Sequence, residues 1–511
     1  MRSLLSRSSR SVWGWMVALA VLAGFPDISA QVPGSAYKVE TITGPRGIAA
    51  EVSAIAFGHD GLLYATFRRG YIYSFDPATQ RWEPFAEGLH TPLGIARGDQ
   101  PGEFLVAQVP ELTRVADTDG DGQADLFETV SDGWGLSGNY HEFIAGPIRD
   151  REGNYYVSLG LASGNADPRP PVRGELTRRP RTAAEPVPGK VNHVGHYSPI
   201  QYRGCALQIR ADGSVRPFAC GFRQPNGIAM SPGGEIFVSD NQGRWVGTSP
   251  LHHVTDGDFH GHPASLHWHP EFLGVNPVEA DVADLDRRRK RPAILFPQGD
   301  MGGSNTDPVF DRTGGAFGPY AGQLLVGEWT YPRVHRVDLQ EVRGVYQGAA
   351  FPFVEGNGLR MANNRMAFSP DGRSLYVAQT SRIWGSTEGL QRIVWQGSVP
   401  FDILTMKLTR EGFDLTFTKP ADRESAANRN NYSVTRYYYR YHSAYGSPKT
   451  DITPVEVVSV SVSDDGMRAS LVVNDLREGW LYDLRPTSIR SESGEPLAAR
   501  MAAYTLNRLV D

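Results

Sequence analysis

Cysteine is nearly absent: Cys205 and Cys220 are the only two in 511 residues. No Cys-x-x-Cys-His occurs, which excludes a covalent c-type haem. A positive excess is missing too, with 51 Lys and Arg against 56 Asp and Glu. Nothing in that balance invites nucleic acid or an anionic membrane. The basic run Arg287–Arg291 is short, follows an acidic stretch and reads as a solvated helix end. Long apolar runs are limited to one, Val12–Phe25. It follows Arg2, Arg7 and Arg10, precedes Ile28-Ser29-Ala30, and is too short to span a bilayer comfortably. Residues 1–30 therefore read as a cleaved signal peptide. The mature chain, at net −7 once those residues are removed, is expected to be secreted or periplasmic, with no integral membrane segment.

What the chain has instead is a repeat. Two apolar runs joined by a Gly- or Asp-rich turn recur at Ser53–Phe67, Leu93–Gln108, Phe143–Gly160, Gly227–Asp240, Gly314–Trp329 and Arg365–Gln379. Such turns between β-rich runs are those of antiparallel hairpins. A third run follows each hairpin: Tyr71–Asp76, Leu112–Asp117, Ala206–Asp212, Leu251–Asp256, Val334–Leu339 and Leu390–Trp395. A sheet of this size cannot bury its faces alone, so six copies predict an all-β, six-bladed propeller over residues 36–398. After Trp395 the rhythm stops. Short alternating runs over residues 400–511 read as a small β-sandwich, a structural or docking module. Sugar binding through Tyr432 and Tyr437–Tyr439 is the weaker reading there.

Cys205 and Cys220 flank a hairpin turning at Asp212-Gly213. In an exported chain a disulfide is expected, and closing such a loop contributes about 3 kcal/mol. Two buried free thiols are the alternative.

If the first strand of each blade runs from top to bottom, the second-to-third connections and the links between blades gather on the top face. Loops on a rigid scaffold carry function. The links bring Asn139-Tyr140-His141, Gly221 to Asn226, and Gly358-Leu359-Arg360 through Asn363-Asn364. The loops bring Arg68-Arg69, Asp240 to Trp245, and Glu328-Trp329. The Pro- and Arg-rich insertion Leu161–Arg203 adds His193 and His196, while a second insertion, Gly257–Thr313, follows the third strand of blade four. Histidine, arginine and amides around a channel suit an anionic or polyhydroxylated ligand. Any one of them could equally be capping a strand end.

On the opposite face, Asp117-x-Asp119-x-Asp121-Gly122, with Asp125 and Glu128 at the ninth and twelfth places, matches calcium-loop spacing. Calcium there is expected to stabilise and not to catalyse. The histidines at 252, 253, 260, 262, 267 and 269 show no spacing that marks a transition-metal set.

These residues resemble the soluble quinoprotein glucose/sorbosone dehydrogenases over roughly residues 90–395. Gly221-Phe222-Arg223-Gln224-Pro225-Asn226-Gly227 is similar to that family's G-H-R-N-P-Q-G. Asp240-Asn241-Gln242-Gly243 stands in place of its E-H-G, and Gly257 to Pro263 in place of its G-x-N-Y-G-W-P. The resemblance implies that His141 takes the proton of a sugar hydroxyl and pyrroloquinoline quinone (PQQ) takes the hydride, an electron acceptor following as partner. It also implies cofactor or substrate contacts from Arg223, Gln224, Asp240, Asn241, Gln242 and Trp329. The family sets a lysine and an Arg pair against the quinone carboxylates. Here the matching stretch is Gly327-Glu328-Trp329-Thr330, no lysine occurs from 291 to 406, and Arg360 and Arg365 loosely represent the pair. The layout, sandwich included, also resembles a bacterial family of secreted propellers.

Pro225-Asn226-Gly227 followed by Asp240 resembles the metal segment of gluconolactonase-type propellers, with Asn226 and Glu51 as ligands and no third in a blade five beginning at Thr313. A third reading needs no catalysis: a calcium-stabilised propeller that binds a saccharide or a protein.

Overall fold

A computed structural model describes residues 36–164, 166–176, 195–272, 276–381 and 387–511. The signal-peptide segment and His193 lie outside the described residues.

Six antiparallel blades of four strands ring the propeller, five as separate sheets and the fifth as one half of an eight-stranded sheet. Their first strands are Val52–Phe57, Pro92–Arg97, Ile144–Arg149, Gly227–Met230, Asn305–Phe310 and Asn363–Phe368. Each contacts the first strand of the next blade, and the sixth contacts the first, so the six ring the axis. The N-terminal strand Tyr37–Ile42 closes the circle as the outermost strand of blade six, paired with Gly389–Trp395.

The local chemistry of the repeat is visible in its turns. Asp60, Asp150, Asp311 and Asp371 each accept the backbone N–H two residues on, from Leu62, Glu152, Thr313 and Arg373. This is how a short acid mimics a backbone turn. Second strands are buried nearly throughout because both of their faces are covered. In Leu63–Phe67, the side chains of Leu63, Ala65 and Phe67 enter the core shared with blade six, and Tyr64 enters the one shared with blade two. Every neighbouring pair of blades shares such a core.

Two features depart from the sequence reading. Blade five begins at Asn305, not Gly314, because residues 311–323 are the connection between its first two strands. Its last strand, Val345–Glu355, also pairs with Ala502–Leu506, so one eight-stranded sheet runs from the propeller axis into the C-terminal module. A second sheet of that module packs on it through Phe351, Phe413, Leu471, Leu484 and Tyr504. Cys205 and Cys220 face each other on the third and fourth strands of blade three and are disulfide-bonded. No helix of the described residues is long and apolar enough to cross a membrane.

Candidate ligand site on the top face

The link into blade three and the insertion after its second strand are tied together by Asn139. Its Oδ1 accepts the N–H of His141 (3.0 Å) and of Ser163 (3.1 Å), and its Nδ2 donates to Ser163 O (2.9 Å). Ala162–Ser163 pairs with His196–Tyr197. The result sets His196 Nε2 2.9 Å from His141 Nδ1. Desolvation, reinforced by the charges of Arg223, His141, His262 and Arg244, holds His196 well below the usual histidine range. The ring is neutral at ordinary pH, so a single proton is shared across that bond.

Beside the pair lies a 520 Å³ pocket between blades one, two and three. Tyr140 and Phe143 line it, and their rings stand 5.2 Å and 5.3 Å from the His141 ring. Arg68, Arg69, Arg169 and His90 bring positive or chargeable groups. The Arg68 guanidinium lies 5.6 Å from the Phe143 ring centre, and Arg69 is 3.4 Å from Glu51. Glu142 turns inward: it accepts from Ser137 N and Oγ and faces buried Arg203 at 3.7 Å. Gly138 is required here, because a Cβ would collide with Arg169 O and its φ is +68°. Arg169 and His90 were missed in the sequence. The stiff Asp167-Pro168-Arg169-Pro170-Pro171 stretch in a top loop was a signal for the first; nothing marked the second.

Across the histidine pair, at blades four to six, the side chains implied by the resemblance are occupied internally. Asp240 accepts the N–H groups of Arg223, Gln224 and Asn241, each at 2.7 Å. Burial raises Asp240 to about 6 against those bonds. Arg223 Nη1 donates to Gln242 O (2.7 Å), while its Nε is buried without a partner. Gln224 Nε2 donates to Leu161 O, and Gln242 Nε2 to Gly247 O (3.1 Å). Asn241 Oδ1 accepts from Ser304 Oγ (3.0 Å), and Trp329 Nε1 donates to Thr380 O (2.9 Å). Arg360 Nη1 donates to Glu388 O (3.2 Å).

The channel mouth itself is bridged. Arg365 donates to Leu93 O (3.1 Å), Asn226 O (2.6 Å) and Asn364 O (2.8 Å), and Asn364 Nδ2 donates to Ser53 O (2.8 Å). Half-buried Asp307, on the strand that the sequence reading placed too late, feels Arg365 as its chief opposite charge. Thus an Asp does accompany Asn226, but a guanidinium stands where a lactonase-type cation would sit. Glu51 is elsewhere, in the pocket.

The quinone that the resemblance implies was tested against these donors. With no lysine from 291 to 406 and Arg360, Arg365, Gln242 and Trp329 already bonded, they do not assemble its cradle.

On the lower face, Asp117, Asp119 and Asp121 bring one carboxylate oxygen each to within 4.8 Å of one another. Asp125 is bonded to Thr118 N and Oγ1, and Glu128 is paired with Arg114 at 3.1 Å. Glu128 therefore does not close the loop as its spacing suggested.

The model of a family described as a domain of unknown function, DUF7133, matches residues 75–382. No curated protein matches. Among solved structures, the chain is similar to a putative oxidoreductase (glucose dehydrogenase) of Thermus thermophilus, with 20% identity over 70% of this chain and 100% of that one, TM-score 0.48. It is similar to the PQQ-bound aldose sugar dehydrogenase of Streptomyces coelicolor, with 15% identity over 70% and 98%, TM-score 0.46. The holo PQQ domain of Coprinopsis cinerea pyranose dehydrogenase gives 15% identity over 70% and 95%, TM-score 0.44. Likenesses at this level assign no activity to the chain.

Proposed function

Since the chain belongs to the DUF7133 family, whose description names no activity, we propose its role from the site: it binds a sugar-like small molecule carrying negative charge in the pocket of blades one to three. The observation that carries this is the lining. Three guanidiniums, Arg68, Arg69 and Arg169, stand with Tyr140 around a 520 Å³ concavity. Forked cationic donors suit a carboxylate, and a phenol suits hydroxyls. The test is calorimetric titration with glucuronic acid and glucose. Glucuronic acid should bind more tightly, by about tenfold or more, and that preference should fall with salt. Equal affinities, or no binding of either, would overturn the proposal.

A second reading has its own support in the His141–His196 pair, two hydrogen-bonded imidazoles beside the pocket. In it, His141 takes the proton of a ligand hydroxyl, the first requirement for oxidising an alcohol. A hydride acceptor would have to be supplied. Adding an artificial redox dye to the purified protein should then give aldose- or polyol-dependent dye reduction, lost in His141→Ala. No reduction removes this reading and leaves the binding proposal standing.

Calcium at Asp117, Asp119 and Asp121 belongs to the proposal as a stabilising ion. So does an extracytoplasmic setting, where a disulfide persists; an unprocessed N-terminus on the native protein would count against it.

A further inference from the structure

An anion-binding pocket has no need of an acid, yet Glu51 lines this one. Glu51 precedes the first strand of blade one, and Arg68 follows the second. Val52 pairs with Phe67, and Arg68 N donates to Glu51 O at 3.0 Å. The ladder therefore carries the acid and the arginine to the same rim, with Arg69 next in the chain. All three line the cavity. As a counter-ion Glu51 is weak. Its Oε2 accepts from Arg69 through the single Nε, at 3.4 Å, and the arginine side chain is 66% exposed. A one-point pair in water contributes little, and the forked grip that a carboxylate can make on a guanidinium is not formed.

The surrounding groups give Glu51 another task. Arg68, Arg69 and Arg169 can only donate. Glu142, the second acid at the cavity, is taken up by Ser137 and buried Arg203. Tyr140 Oη donates to Ser163 Oγ at 3.4 Å. Of the two Glu51 oxygens, Oε2 alone accepts a hydrogen bond among the described residues. The side chain is nonetheless 19% exposed, largely withdrawn from water. A carboxylate so placed repels a bare anion brought to the guanidiniums beside it. It attracts an O–H donor, whose bond to an ionised oxygen is among the stronger kinds. An ammonium would satisfy the same oxygen, but three guanidiniums repel it.

We propose that Glu51 sets the specificity of the pocket by accepting a hydroxyl of the ligand, so that hydroxylated acids are bound and acids without hydroxyls are turned away. This rests on the pocket reading above and adds to it which acids qualify. The anionic group of the ligand lies against the guanidiniums, and a hydroxyl donates to Glu51.

The experiment is calorimetry on the full chain with glucuronic acid and tetrahydropyran-2-carboxylic acid, the same ring acid without hydroxyls. Wild type should bind glucuronic acid more tightly by about tenfold. Glu51→Ala should cut that preference to about twofold, and the hydroxyl-free acid, no longer repelled, should bind the variant more tightly than wild type. Glu51→Gln, uncharged but still an acceptor, should tighten that acid too and keep more of the preference. Arg169→Ala should weaken both acids. The role of Glu51 alone is overturned by a wild type with no preference, by a preference intact in Glu51→Ala, by a hydroxyl-free acid that gains nothing there, or by Glu51→Gln keeping no more preference than Glu51→Ala. Unchanged binding of both acids in Arg169→Ala overturns the pocket reading instead, and no binding by wild type overturns both. The melting temperature of Glu51→Ala should match wild type, as the exposed pair with Arg69 contributes little, and this separates altered recognition from altered fold.

Discussion

Arg365 and Arg169 both belong to the top side of the propeller, and what their guanidiniums touch could hardly differ more. Arg365 is 6% exposed and donates to carbonyls from blades two, four and six, so it holds the first strands together across the axis. Arg169, exposed on a Pro-rich loop, lines an open pocket. A buried polar group has to be satisfied by the protein itself, and an exposed one on a stiff loop can wait for a ligand. The same division separates the two halves of the face. Blades four to six use their top-face arginines as internal ties. Blades one to three leave Arg68, Arg69 and Arg169 lining a cavity.

The largest effect should come from breaking a tie. Arg365→Met leaves three strand-end carbonyls and Asp307 without their partner, which should cost about 3–5 kcal/mol, read as a lower urea midpoint. Ligand affinity in the folded fraction should not change. The mirror experiment is Arg169→Ala, expected to lose about tenfold in glucuronic acid affinity with an unchanged urea midpoint. If Arg365→Met weakened binding while leaving stability intact, the comparison would be reversed.

Acid should sharpen it further. Burial lowers His262 to about 3 and puts His252 and His260 well below their ordinary value. The unfolded chain therefore takes up these protons first, so their contribution is complete above about pH 6.5 and drains as pH falls towards 3. Asp240 and Asp307, raised to about 6, act in the opposite sense. The folded chain binds their protons first, and acidification from pH 6 to 4 returns stability. His196, His253 and His335 are lowered in the same way, and Glu328, Asp338, Glu388, Asp402 and Asp483 are raised with the two aspartates. The histidine loss sets in highest, from about pH 6.5, so the urea midpoint should fall between pH 7.5 and 6.5; a rise would mean the carboxyls dominate.

The smallest effect belongs to the lower face. Chelation should lower the melting temperature by a few degrees, as removal of any ion bound only by the folded chain does, and Asp119→Asn should abolish that sensitivity. An unchanged melting temperature would leave the turn as an acid cluster held by its own backbone bonds. Binding on the top face should be unaffected either way.

The fold class was legible because each blade repeats one local code: an acid that mimics a turn, a run that is apolar on both faces, a third strand. Blade five shows where the code fails. Its first strand, Asn305–Phe310, carries Asn305 and Asp307, whose polar side chains enter the axis, and so reads as loop. The candidate site was legible in part. Asn139-Tyr140-His141, Arg68-Arg69 and His196 stand in top connections and meet there. Trp329 and Arg360 stand in top connections too, and Asn364 and Arg365 open the first strand of blade six, but their hydrogen bonds go to neighbouring backbone. No pattern along the chain announces which donor will find an internal acceptor.

Taken alone, the order of residues determined most of the strands, the sixfold repetition and the face on which the connections emerge, because turn chemistry and apolar alternation act over a few neighbours. Only the closed ring decided that Arg365 would bind three blades at once, that Arg169 would face a cavity, and that Glu51, from blade one, would line the same cavity. Those outcomes depend on whether a polar group ends up beside a partner from a distant strand or beside water, and that is settled when the sheets pack.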